Sequence, residues 1–350
     1  MAVTQQDGTP PVGAKPRGVH RELITPVDRP PGVLVNLDAQ ARAGLVGAEF
    51  VVGRHRLADP GCTEGALFTD ESIAALLDDY PAELLFALTM GTDPEHMEEN
   101  ERLDHAGITG HELLTAVRKG RIWCNITNVD RVDARFRDLA DRLYGEIAEQ
   151  VPGFASTETH ATLLVSSPGA MVYFHVDGPP SFLWHVRGHK RVWVYPALEQ
   201  SVLPRALLED VFAGTRQEYV PYRSEFDQVA KVHDLMPGEV AMWPQNAPHR
   251  VANLGDLNVS LVTDHYTLAA RRRARVYTAN RFLRVKAHVP QRWLGTSPTS
   301  LRAGAKVAVH QLGQRLHLDD KTSKAHPGPT RRVDPDSEIG ISAVSPNVTR

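Results

Sequence analysis

Two stretches of the chain hold side chains whose types and spacing suit metal chemistry. In "MVYFHVDGPPSFLWHVRGHKRVWVYP", from Met171 to Pro196, His175 and Asp177 stand two apart. Alternate residues of a strand share a face, so an extended backbone would aim Tyr173, His175 and Asp177 one way and Val172, Phe174 and Val176 the other. An imidazole and a carboxylate turned into a small barrel cost free energy unless they are paired or bind a metal. A third donor, His249, follows Pro248 in "WPQNAPHRVANLGDLNVSL", at the start of another expected strand. His-x-Asp plus one distant histidine is the donor set of the facial triad, which binds ferrous iron and leaves coordination positions open. Open positions let a metal hold an electron-donating cosubstrate and dioxygen beside the bond to be attacked, while the protein supplies orientation and shelter from water. In a chain with 16 histidines an isolated His-x-Asp is a weak signal, so the surroundings must carry the reading.

Those surroundings read as strands. "ATLLVSS", "MVYFHVD", "SFLWHV", "KRVWVYP", "GEVAMWP" and "DLNVSLVTDH" are short, rich in β-branched and aromatic residues, and separated by Gly, Pro, Asn or Asp. Many short strands at close spacing predict a sandwich or barrel, of which the double-sheet jelly roll is one type. Before them the chain reads helical. Thr69 caps a segment with Asp70 and Glu71 in its first turn and an apolar side of Ile73, Leu76 and Leu77, and Pro81 opens a second short helix. Val132, Phe136, Leu139, Leu143 and Ile147 recur at helical steps until "VPGF" breaks them. The expected organisation is a mainly β core at 154–266, a helical lead-in at 33–153, a helical flank at 267–320, and disordered tails at 1–32 and 321–350, both rich in Pro and charge.

Composition removes several function classes. The 350 residues carry 39 basic and 42 acidic side chains, a formal charge of -3, which gives no electrostatic reason to expect a nucleic-acid partner or an anionic membrane. Cys62 and Cys124 are the two cysteines, too few for a disulfide framework or a zinc-finger cluster and suited to a reducing compartment. No apolar stretch approaches the ~20 residues needed to span a bilayer, and the expectation is a cytoplasmic protein. No Walker or dinucleotide-binding pattern occurs in the right context.

The segment "PGAMVYFHVDGPPSFLWHVRGHKRVWVYP", with "LMPGEVAMWPQNAPHRV" and "NVSL", resembles the cupin-like Jumonji-C hydroxylases, the iron and 2-oxoglutarate dioxygenases with a double-stranded β-helix core. The shared frame is His-x-Asp, a hairpin with Gly-x-Lys, a "PGE" turn and Pro-His, over roughly Thr162 to His265. "GRIWCNI" in the lead-in resembles bacterial members. The resemblance implies that His175, Asp177 and His249 bind Fe(II), and that Lys190 pairs with the distal carboxylate of 2-oxoglutarate. A lysine aimed into a barrel needs an anion, which a dicarboxylate would supply; a head held in water at the rim is the competing use. Further candidates for cosubstrate contact are Tyr173, His185 and Ser260, with Asn258 beside them. Core aromatic packing for Tyr173 and a hairpin hydrogen bond for His185 are their competing uses. Two positions depart from the family: Ser181 stands where many members have asparagine, and Val172 where threonine is frequent.

The expected activity is hydroxylation, or oxidative demethylation, of a protein, amino-acid or small-molecule substrate with dioxygen. Its rivals are a non-oxidative metal-binding cupin, such as an isomerase or ligand-binding protein, and a non-catalytic regulatory module. The basic run "RRRARVY" reads as a solvated helix face or an interface, and the flank that holds it is expected to form a homodimer contact, after the family's habit. Trp184, Trp193 and Trp243 read mainly as core, with a substrate mouth as the alternative.

Overall fold

In the computed structural model the described residues are 31–216, 219–316 and 328–344, the side chain of Glu98 excepted. The expected N-terminal tail therefore lies almost wholly outside them, as do 317–327 and 345–350. From Gly32 onward the chain forms one unit.

Helix α1 (Ala39–Val46) leads to strand β1 (Val51–Arg54). Helix α2 (Asp70–Asp78) starts where expected, with the Thr69 hydroxyl accepting from the Ser72 N–H at 3.2 Å. Pro81 opens a single 3₁₀ turn rather than a helix. Strands β2 (Leu85–Thr89) and β3 (Glu101–Asp104) follow, then α3 (Gly110–Lys119), whose start is fixed by a capping box of Thr109 and Glu112. After β4 (Ile122–Ile126) come the single turn α4 (Val129–Val132) and α5 (Ala134–Gln150). The latter buries Phe136, Leu139, Leu143 and Ile147 as their spacing predicts, whereas Val132 belongs to α4 and is exposed. The remaining elements are β5 (Thr157–Ser166), β6 (Met171–Val176), β7 (Ser181–Val194), α6 (Arg205–Phe212), β8 (Lys231–Leu235), β9 (Glu239–Trp243), β10 (Pro248–Tyr266), α7 (Leu268–Lys286), α8 (Leu301–Arg315), β11 (Arg331–Val333) and β12 (Ile341–Ala343).

Two long bent strands, β7 and β10, make the architecture a jelly-roll core with flanking helices. The first half of β7 pairs with the second half of β10 and with β9, in a large sheet that continues through β5, β4, β2 and β3. The second half of β7 pairs with the first half of β10 and with β8, and β6 completes this smaller sheet. Side chains alternate strictly on the large sheet. Ile122, Cys124 and Ile126 of β4 and Ala161, Leu163 and Val165 of β5 face the apolar core under α2, α3 and α5, while Trp123, Asn125, Thr162 and Leu164 face a cavity between the sheets. On the outside of the small sheet, Phe174 and Val176 pack with Leu208 of α6 and Tyr277 of α7.

Three expectations change here. The lead-in is not purely helical: it lends β1 to β4 to the sheet system. "SFLWHV" and "KRVWVYP" do not form a hairpin but one strand, because Gly188 (φ +88°) bends β7 without reversing it. The expected second tail is partly ordered, since β11 pairs in parallel with β3 and antiparallel with β12.

A Cβ on Gly188 would stand 2.6 Å from the Asn258 side chain, whose amide is committed to Gly255 O and Asp256 O at 3.1 and 3.2 Å. Both the left-handed backbone and the fixed neighbour oppose a side chain. Gly188→Ala is expected to lower the unfolding free energy by about 2–3 kcal/mol in urea titration.

Candidate metal centre

His175 on β6 and His249 at the start of β10 are register partners, with ring centroids 4.1 Å apart. Each ring is held by its Nδ1: His175 lies 2.8 Å from Tyr173 O, and His249 lies 3.1 Å from Ala247 O. Donating to a carbonyl places the proton on Nδ1 and leaves a lone pair on each Nε2. Those nitrogens stand 3.6 Å from Asp177 Oδ1 (His175) and 3.4 Å from Oδ2 (His249). The three candidate donor atoms lie within 4.8 Å of one another. Two nitrogen lone pairs and a carboxylate directed at one point repel unless a cation sits there, so the donor set fits a divalent ion such as Fe(II).

Electrostatics agree. Burial, then the charge of His175, pull His249 down to about 4 against the opposing pull of Asp177, so its imidazole is neutral at pH 7. Burial pushes the Asp177 carboxyl up, but His249, His175 and a hydrogen bond from Trp243 outweigh it and leave it below the usual range. Trp243 Nε1 is 3.4 Å and Ser181 Oγ 3.2 Å from Asp177 Oδ2, and the Trp243 ring lies 4.4 Å from that of His249.

A cavity of about 1230 Å³ opens onto the triad, and Lys190 lines it too. The Lys190 side chain is buried, and its ammonium donates to Asn253 Oδ1 at 3.0 Å and Ser166 Oγ at 3.4 Å. No carboxylate among the described residues pairs with it, and burial alone pulls it down to about 7.

The other cosubstrate candidates are placed differently. Val172 reaches the cavity wall together with His175 and Asp177, while Tyr173 is not among the lining residues. The cause is a register shift between the pairs His249↔His175 and Val251↔Val172, which inserts an extra residue in β6 and breaks the alternation. Tyr173 packs against Tyr219, and its hydroxyl accepts from the Gly91 N–H at 2.9 Å. His185 Nδ1 and Ser260 Oγ face each other at 2.9 Å across β7 and β10, outside the cavity lining. Burial and then the Lys190 charge pull His185 down to about 3. Asn258 holds the β10 bend instead of facing the cavity. Of the tryptophans, Trp184 is core and donates to Thr263 Oγ1 at 2.9 Å; Trp193 stacks under Arg250, 3.5 Å from its ring centre; Trp243 lines the cavity.

Sequence reasoning did not single out Asp264, Asn125, Arg216, Tyr219 or Thr330, which also line the cavity. Asp264 was within reach, because it shares the parity of Ser260 and Val262 in an expected strand. For Arg216, Tyr219 and Thr330, which approach from loops, no local signal exists.

No family model and no curated protein matches the chain. Among solved structures it is similar to E. coli ycfD, with TM-score 0.46 and 12% identity over 81% of this chain and 69% of that one. A second structure, of the Escherichia coli ribosomal oxygenase YcfD, gives TM-score 0.43 and 13% identity over 80% of this chain and 67% of that one. YcfD in complex with cobalt and 2-oxoglutarate gives 0.41 and 12%, over 77% of this chain and 65% of that one. The chain thus spans about two thirds of the length of these E. coli proteins.

Proposed function

We propose that this chain is an Fe(II)- and 2-oxoglutarate-dependent oxygenase that hydroxylates, or oxidatively demethylates, a substrate admitted to the cavity between its sheets. What carries the reading is the pairing, in one cavity, of a cluster of three candidate donor atoms within 4.8 Å of one another and a buried lysine with no carboxylate partner among the described residues. A dicarboxylate would satisfy both: His175, Asp177 and His249 would hold a metal to which one end could bind, and Lys190 would meet the other. The metal, when bound, supplies redox chemistry with dioxygen. The protein's part is placement. Nδ1 contacts fix both imidazoles, Trp243 orients the carboxylate, and the apolar walls of Leu164, Leu183, Val251 and Val262 exclude water from the reacting face. A non-oxidative metal cupin would leave Lys190 without an anion, a buried charge with only the neutral Asn253 and Ser166 as partners.

The cavity exceeds the ~300–1,000 Å³ usual for small ligands, which leaves room for a substrate beside 2-oxoglutarate. Its floor runs across β10, β5, β4 and β2 to Arg102 on β3, which favours an elongated substrate over a compact metabolite.

The test adds oxygen to anaerobic protein loaded with Fe(II) and 2-oxoglutarate, and measures succinate. Succinate formed by the wild type but not by His175→Ala is the expected result. Metal binding accompanied by no 2-oxoglutarate binding would overturn the reading.

A further inference from the structure

Ser181 Oγ lies between two carboxylates, 2.6 Å from Asp264 Oδ1 and 3.2 Å from Asp177 Oδ2. A hydroxyl has one hydrogen, so it can serve one of them. The 2.6 Å contact is in the range of a charge-assisted O–H···O⁻ bond, and the longer one is not. Ser181 and Asp264 are register partners on β7 and β10, so their approach is set by the sheet rather than by flexible side chains. Both are held within the fold: Ser181 is fully buried, and Asp264 lines the cavity.

We propose that Asp264 is a positioning residue that acts through Ser181, holding the hydroxyl hydrogen away from the metal-ligand carboxylate of Asp177. The inference rests on the reading of His175, Asp177 and His249 as a metal site. With the hydrogen turned to Asp264, Ser181 presents a lone pair to Asp177 Oδ2 and pushes it toward the Trp243 N–H and the His249 ring. Asp177 then keeps its charge for the ion. An asparagine at 264 is a weaker, neutral acceptor; the hydrogen would swing to Asp177, draw density from the ligand and pull it off centre. Without the hydroxyl there is no hydrogen to misplace.

This gives a suppression test, read by Co(II) titration of the full chain and by the visible d–d bands of the bound ion. Asp264→Asn is expected to weaken Co(II) binding about tenfold and to shift the bands, as loss of an outer partner of a ligand does. Ser181→Ala is expected to stay within about threefold of the wild type, and Asp264→Asn/Ser181→Ala to return to the Ser181→Ala affinity and spectrum. Asp264→Ser serves as a second neutral variant should Asp264→Asn fail to fold. A double variant as weak as Asp264→Asn would show that Asp264 acts by charge alone and overturn the inference. An unchanged Asp264→Asn, or a tenfold loss in Ser181→Ala alone, would overturn it as well. A wild type that binds no Co(II) would remove the metal site itself, an outcome distinct from these.

Discussion

Asp177→Ala is expected to abolish tight metal binding and, with it, all succinate formation. The variant leaves two tilted imidazoles with ring centroids 4.1 Å apart and removes the one carboxylate of the donor set that would offset a divalent ion. Removing one member of a buried charge pair costs roughly 3–5 kcal/mol, or about two to three and a half decades of affinity. Isothermal titration with Co(II) measures the loss directly. The fold should survive at some cost in stability, since the lowered Asp177 pKa means the folded state favours the carboxylate, through partners that belong to the site. A variant that binds Co(II) as tightly as the wild type would mean that the acid is no ligand.

Lys190→Met is the second large effect, and it has opposite signs in the free and the loaded protein. In the free protein a buried ammonium without a carboxylate partner is a liability, so a methionine of similar length should raise the melting temperature at pH 7. With metal bound, the same variant should lose 2-oxoglutarate affinity by about 2–5 kcal/mol, as truncation of one partner of a buried ion pair does. The pH dependence follows from a lysine pulled down to about 7. Between that value and the ordinary lysine range, near 10.4, the unfolded chain holds the proton and the folded one does not. Stability of the free wild type therefore rises with pH across this window, and below it the penalty is fully present. Binding the dicarboxylate needs the protonated form, so affinity should fall as pH climbs above 7, by up to about tenfold per unit. In Lys190→Met both slopes should vanish; calorimetry in buffers of different ionisation enthalpy counts the protons.

The site was more legible in the sequence than the frame around it, and for physical reasons. His175, Asp177 and His249 are donors whose chemistry is costly to bury unless it is used, and the strand pattern around them turned a weak signal into a reading. Alternation then succeeded on β5 and on β10 from Ser260 to Asp264, where the ladder between them is regular, while β4 lay in a stretch read as helical. It failed at Tyr173, where one extra residue in β6 turns Val172 rather than Tyr173 into the cavity. Gly188 read as a hairpin turn because a glycine between two apolar runs signals either a reversal or a bend, and the partner that decides, Asn258, is 70 residues away. Asp264 and Trp243 were visible as strand residues. Their link to Asp177 depends on which strands become neighbours, and that is fixed by non-local pairing.

The parallel pairing of β11 with β3 gives the Pro-rich end of the chain a task that its composition conceals. Gly328 and Thr330 line the cavity, and Thr330 Oγ1 donates to Glu101 at 3.1 Å. A protein trimmed at the last helix would keep His175, Asp177 and His249 and lose part of the cavity wall.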